Sequence, residues 1–124
     1  MPCFVNFSNH PFAHWAEPQL GAARQYGEIQ DFPFPSVDPA LDENEVLILA
    51  EKYADEILRL APAAVMCQGE FSLCFAVTQL LHTKGVMVLC ACSERKVEEY
   101  VNDEGSVGKR VEFAFVRFRS YNII

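Results

Sequence analysis

Apolar and polar positions alternate along this chain in two rhythms. Residues 3–7, CFVNF, form a short apolar run closed by Ser8-Asn9-His10-Pro11. AEPQLGAARQY (16–26) reads as a helix, with Pro18 in its first turn and Gly27 just past its end. EIQDF (28–32) is a second short strand, and the Pro-rich PFPSVDPA after it is a loop. Over 42–60, Val46, Leu49, Tyr53, Ile57 and Leu60 recur at helical spacing, and Asp42 with Glu45 makes a capping box. AAVMC (63–67) and VMVLCAC (86–92) are apolar throughout, as central parallel strands are. Between them FSLCFAVTQLLHTK (71–84) predicts a helix with Phe71, Cys74, Phe75, Thr78 and Leu81 or His82 along one side.

Beyond residue 92 the period changes to two. RKVEEYV and GKRVEFAFVRFR flank the turn NDEGS, which predicts a hairpin. The whole pattern predicts one α/β domain over 1–124. Its expected form is a Rossmann-like three-layer sandwich: four parallel strands alternating with helices, plus a C-terminal antiparallel hairpin at one edge. Strands one and three are expected to be neighbours.

Composition narrows the function classes. The chain has 124 residues, is 51% hydrophobic and carries a formal net charge of −7. It holds no apolar run of the roughly 18 residues that span a membrane, and its start lacks a basic segment before an apolar one. The expectation is a cytoplasmic protein with no membrane and no secretion signal. The negative charge disfavours duplex nucleic acid as a partner but leaves a small anion open. Five cysteines, with no CxxC pair, predict reduced buried thiols, and the spacings support no metal or other cofactor.

Ligands of open parallel sheets bind beyond the carboxyl ends of the strands. Strand one is followed by Ser8, Asn9 and His10, strand three by Gln68, Gly69 and Glu70, strand four by Ser93, Glu94 and Arg95. The opposite turns, QYGE, LAPA and TKGV, are ordinary turn material. That asymmetry marks Ser8, Asn9, Gln68, Gly69, Glu70 and Ser93 as candidate ligand-binding residues. Ser8 and Asn9 equally suit turn amides, and Glu70 equally suits a helix start as a dipole-matched acid. The amides of Gly69 to Ser72 are a further candidate phosphate site. His10 is the side chain best placed to exchange protons near neutral pH, and Arg95 is a candidate phosphate grip. His14 and Trp15 read as packing for the first loop.

FVNFSNHP, EIQDFPFP and QGEFSL resemble the small stand-alone Rossmann-fold proteins found beside CRISPR systems, the CARF-like group, some of which are ring nucleases. The resemblance is closest over the first 40 residues or so and is architectural beyond them. It implies a homodimer with a cyclic oligonucleotide, or another small phosphate-bearing ligand, lying across the twofold axis. It also implies metal-independent cleavage, with His10 protonating the leaving 5′ oxygen and Arg95 replacing a lysine that many CARF domains carry. The same residues suit a nucleotide sensor that does not cleave. The terminal hairpin (97–118) suits a dimeric interaction protein that takes no ligand.

Overall fold

The computed structural model describes residues 2–121, so Met1 and 122–124 of the expected 1–124 domain lie outside the described residues. The elements run β1 (Cys3–Ser8), a 3-10 turn (Phe12–His14), α1 (Glu17–Arg24), β2 (Glu28–Pro33), α2 (Glu43–Leu58), β3 (Ala64–Cys67), α3 (Phe71–Thr83), β4 (Met87–Val101) and β5 (Val107–Ser120). The strands form one sheet in the order β2-β1-β3-β4-β5. The first four are parallel, β5 is antiparallel to β4, and β1 pairs with β3 as expected.

The central strands β1 and β3 are buried on both faces because helices cover both, whereas in β4 only Val88 and Leu89 are buried. In β1, Phe4 points into a cluster with Trp15, Ala23, Ile29, Leu89 and Phe118, on the side of α1. Val5 and Phe7 point the other way, into the larger core beneath α2 and α3. Alternation with period two thus divides one strand between two cores. The capping box of α2 forms: Asp42 Oδ1 accepts from the Glu45 amide at 2.8 Å, and Glu45 Oε1 accepts from the Asp42 amide at 3.2 Å.

Two features differ from expectation. The terminal hairpin adds one strand, not two, because β4 does not stop at Cys92. It runs fifteen residues, and its outer half is the first arm of the hairpin. A bulge between Cys92 and Ser93 marks the join, with Cys92 opposite Arg117 and Ser93 opposite Phe115. The change of period at that point reports a strand leaving the core: inside the body both faces are covered, whereas outside it the ribbon is solvated. The second difference is the buried side of α3. Leu73, Cys74, Val77, Thr78 and Leu81 face inward, while Phe71 and Phe75 are 91% and 64% exposed. Two inward stripes were available on this mostly apolar helix, and packing on the sheet and α2 selected the one through Leu73 and Val77.

Candidate functional site

A cavity of about 370 Å³ opens beyond the carboxyl ends of β1 and β3 and against the middle of β4, on the α1 side of the sheet. Its polar lining comes from His10, His14, Gln19, Gln68 and Ser93, and its apolar lining from Trp15, Met66, Phe113 and Phe115 among others. Three residues singled out in the sequence, His10, Gln68 and Ser93, therefore meet at one cavity although up to 83 positions separate them.

The loop after β1 is held by a buried amide. Asn6, 1% exposed, donates from Nδ2 to the His10 carbonyl and to Asp31 Oδ1, both at 2.8 Å. Its Oδ1 accepts from Ser8 Oγ at 2.6 Å, and Ser8 Oγ in turn accepts from the His10 amide at 3.2 Å. Trp15 Nε1 also donates to the His10 carbonyl, at 3.0 Å. Asp31 Oδ1 accepts once more from the Phe12 amide. The loop is thus pinned at the backbone of His10, which frees its imidazole for the cavity. Ser8 is itself buried and serves this network, so its expected ligand contact is replaced by a positioning role. Asn9 is exposed and does not line the cavity.

Gln68, Gly69 and Glu70 have three different roles. Gln68 Oε1 accepts a hydrogen bond from the Ala91 amide, tying the end of β3 to β4. That orientation makes its NH2 group the donor available to the cavity. Gly69 is required by packing: a Cβ there would lie 2.5 Å from the Phe34 ring. Glu70 caps α3, its Oε2 accepting from the Leu73 amide (2.9 Å) and its Oε1 from the Ser72 amide (3.1 Å). The Leu73 amide first, then the Ser72 hydroxyl, hold this carboxyl below its ordinary value. Glu70 thus takes the Ser72 and Leu73 amides, two of the donors at this helix start, for its own carboxylate. Gly69 and Glu70 do not line the cavity.

Arg95 lies on the outer half of β4, opposite Phe113. It is exposed, and it stands beside the cavity rim without lining it. The expected loop after strand four is instead continuous strand, which carries Arg95 outward along the ribbon. Among the described residues no group of three or more His, Cys, Asp or Glu is placed to hold a metal, and no helix is long and apolar enough to cross a membrane.

Sequence reading missed the aromatic wall. Phe113 and Phe115 stand on one side of β5 two residues apart, a spacing visible in the sequence. Which side faces the body depends on the bulge opposite Cys92. Trp15 both fills the α1-side core and lines the cavity, and Gln19 reaches it from the first turn of α1.

Residues 2–119 match the family described as Uncharacterized protein MJ1673 family, and the chain belongs to it. No curated protein matches the chain.

Proposed function

We propose that this cavity binds a nucleotide. The observation that carries the reading is its lining: an aromatic wall of Trp15, Phe113 and Phe115 facing the imidazoles of His10 and His14, the Gln68 amide and the Ser93 hydroxyl. Base stacking on aromatic side chains is worth about 1–3 kcal/mol per base and tolerates any base. Imidazoles, an amide and a hydroxyl suit ribose and phosphate oxygens. The fold reading that goes with it is Rossmann-like. In a doubly wound sheet of order 2-1-3-4-5 the ligand crevice lies where strand order reverses, between β1 and β3. The loops that follow those two strands supply His10 and Gln68.

The resemblance of residues 4–11 to CARF-like proteins suggests a cyclic oligonucleotide as ligand and a homodimer as the assembly. The ribbon supports the second suggestion. On one face of it, Val97, Val101, Val107, Val111 and Phe113 are between 47% and 69% exposed. Cross-strand pairing places Val97 with Val111 and Val101 with Val107 on that face, together with Glu99 and Lys109. The opposite face carries Lys96 against Glu112 and Glu98 against Arg110. A two-stranded ribbon with an uncovered apolar face is marginal alone. A second copy covers it well, because the stripe holds charges of both signs that a twofold axis brings together. The stripe also continues through Phe113 into the cavity wall, so each ribbon would extend its partner's site.

The best-supported form of this reading is a dimeric nucleotide-binding module. Cleavage is the second form, favoured by His10 standing at the cavity; a general acid there contributes typically 100-fold or more to turnover. The chain has a single tryptophan, Trp15, so its fluorescence reports on the cavity directly. Titration with mononucleotides, linear dinucleotides and cyclic oligoadenylates should quench or shift that emission and raise the melting temperature. Inorganic phosphate should do neither. A flat response to every nucleotide would overturn the reading. Turnover that depends on His10 would select the ring-nuclease form, and binding without turnover the sensor.

A further inference from the structure

The thiols Cys67 and Cys74 stand apart from the cavity, on the α2–α3 side of the sheet. Cys67 is the last residue of β3 and Cys74 the fourth of α3, with Gln68, Gly69 and Glu70 between the two elements. Their sulfurs are 3.6 Å apart. Closing that gap to the roughly 2.05 Å of a disulfide requires a movement of about 1.5 Å, within the reach of side-chain rotation. Cys67 is fully buried, whereas Cys74 retains 8% exposure.

The surroundings of this pair are unusual for inert core thiols. Thr78, one helical turn beyond Cys74, is 3% exposed, and its hydroxyl has no hydrogen-bond partner among the described residues. A buried hydroxyl left unpaired costs about 1–3 kcal/mol. Tyr121 Oη, which donates to the Cys67 carbonyl at 2.6 Å, lies 3.7 Å from Cys74 Sγ. Cys74 Sγ thus lies within 3.7 Å of the Cys67 sulfur and the Tyr121 hydroxyl, and 3.3 Å from the Cys67 carbonyl. The Cys67 thiol above all lowers Cys74 from its ordinary value, against the opposing effect of burial. The hydrogen bond to Cys74 and burial push Cys67 up. The two sulfurs thus differ in burial and in partners, with Cys74 the one nearer solvent.

We propose that Cys67 and Cys74 form a redox-active dithiol that exchanges with low-molecular-weight disulfides. The Cys74 thiolate attacks one sulfur of the disulfide, forming a mixed disulfide and expelling the first small thiolate. Cys67 then attacks Cys74 Sγ. The Cys74–small-molecule S–S bond breaks, the Cys67–Cys74 bond forms, and the Cys67 proton leaves with the second small thiol. Two protein thiols are oxidised by two electrons, and one small disulfide is reduced to two thiols. Cys74 attacks first in this scheme because it is the less buried of the two. The inference does not depend on what the cavity binds.

The test uses the reduced full chain equilibrated with oxidised and reduced glutathione at increasing ratios. Acid quenching, alkylation and mass spectrometry then count the free thiols. The expected result is a fall from five alkylated cysteines to three, with a Cys67–Cys74 disulfide in the peptide map. Cys67→Ser should trap one glutathione on Cys74, an adduct that a purely structural thiol would not take up. Cys74→Ser should abolish both products. Five alkylated cysteines at the most oxidising ratio, or a disulfide mapped to Cys90 and Cys92, would overturn the proposal. So would a Cys67→Ser variant, folded by circular dichroism, that takes up no glutathione.

Discussion

Replacing Asn6 with alanine tests the idea that one buried amide holds the first loop. The substitution removes three hydrogen bonds, to the His10 carbonyl, to Asp31 and from Ser8. Each neutral bond is worth about 1 kcal/mol net. The bond to the Asp31 carboxylate is charge-assisted, but Asp31 is exposed and water competes for it, so about 1 kcal/mol again applies. The combined cost is about 3 kcal/mol. At about 2.1 cal/mol/K per residue, a chain of this length unfolds with an entropy of about 260 cal/mol/K, so the melting temperature should fall by about 12 °C. Asp31→Asn keeps the shape and removes only the charge, and should cost less than about 1 kcal/mol. Asn6→Asp sets a carboxylate against Asp31 and should be as damaging as alanine at neutral pH, recovering in part as the pH falls. Thermal melts by circular dichroism give the numbers. Trp15 fluorescence gives an independent reading, because its indole shares the His10 carbonyl. A fall of less than about 4 °C in Asn6→Ala, with unchanged Trp15 emission, would show that the loop holds itself without this network.

Three further outcomes follow from local geometry. Glu70→Gln should destabilise the protein above pH 4.5, since the folded-state value of this carboxyl is depressed below 4.5; the deficit should disappear as pH falls through that folded-state value, which urea melts between pH 2 and 7 would show. Gly69→Ala should be destabilising because its Cβ meets the Phe34 ring, and Phe34→Leu in the same chain should cost less than it does alone, a coupling that a double-mutant cycle measures. Ala61 sits at φ 49° just past α2; an alanine there costs about 1–2 kcal/mol and the added chain entropy of glycine about 0.5–1, so Ala61→Gly should raise the melting temperature by about 2–4 °C.

The sequence by itself determined the elements whose cause is local. Period two against period 3.6, the capping box at Asp42 and the apolar runs 63–67 and 86–92 place the starts of strands and helices within a few residues, because each depends on neighbours along the chain. The alternation of strand and helix also carried the parallel direction of the pairing, and β1 lies beside β3 as expected. That pairing brought His10 and Gln68 to one end of the sheet. Only the tertiary structure decided the rest. The polar stretch Gln68-Gly69-Glu70 reads as one site in sequence, yet it divides into a strand tie, a packing contact with Phe34 and a helix cap. Those partners lie at Ala91, Phe34 and Leu73, and only the last is near in sequence. Ser8 reads as a ligand contact and is a buried bond to Asn6. The spacing put Phe71 and Phe75 with Cys74 on one side of α3, whereas packing on the sheet and α2 turned Leu73 and Val77 inward and left both phenylalanines exposed. The aromatic wall depended on a bulge that no local pattern encodes, since a one-residue shift moves every later side chain of a strand to the other face.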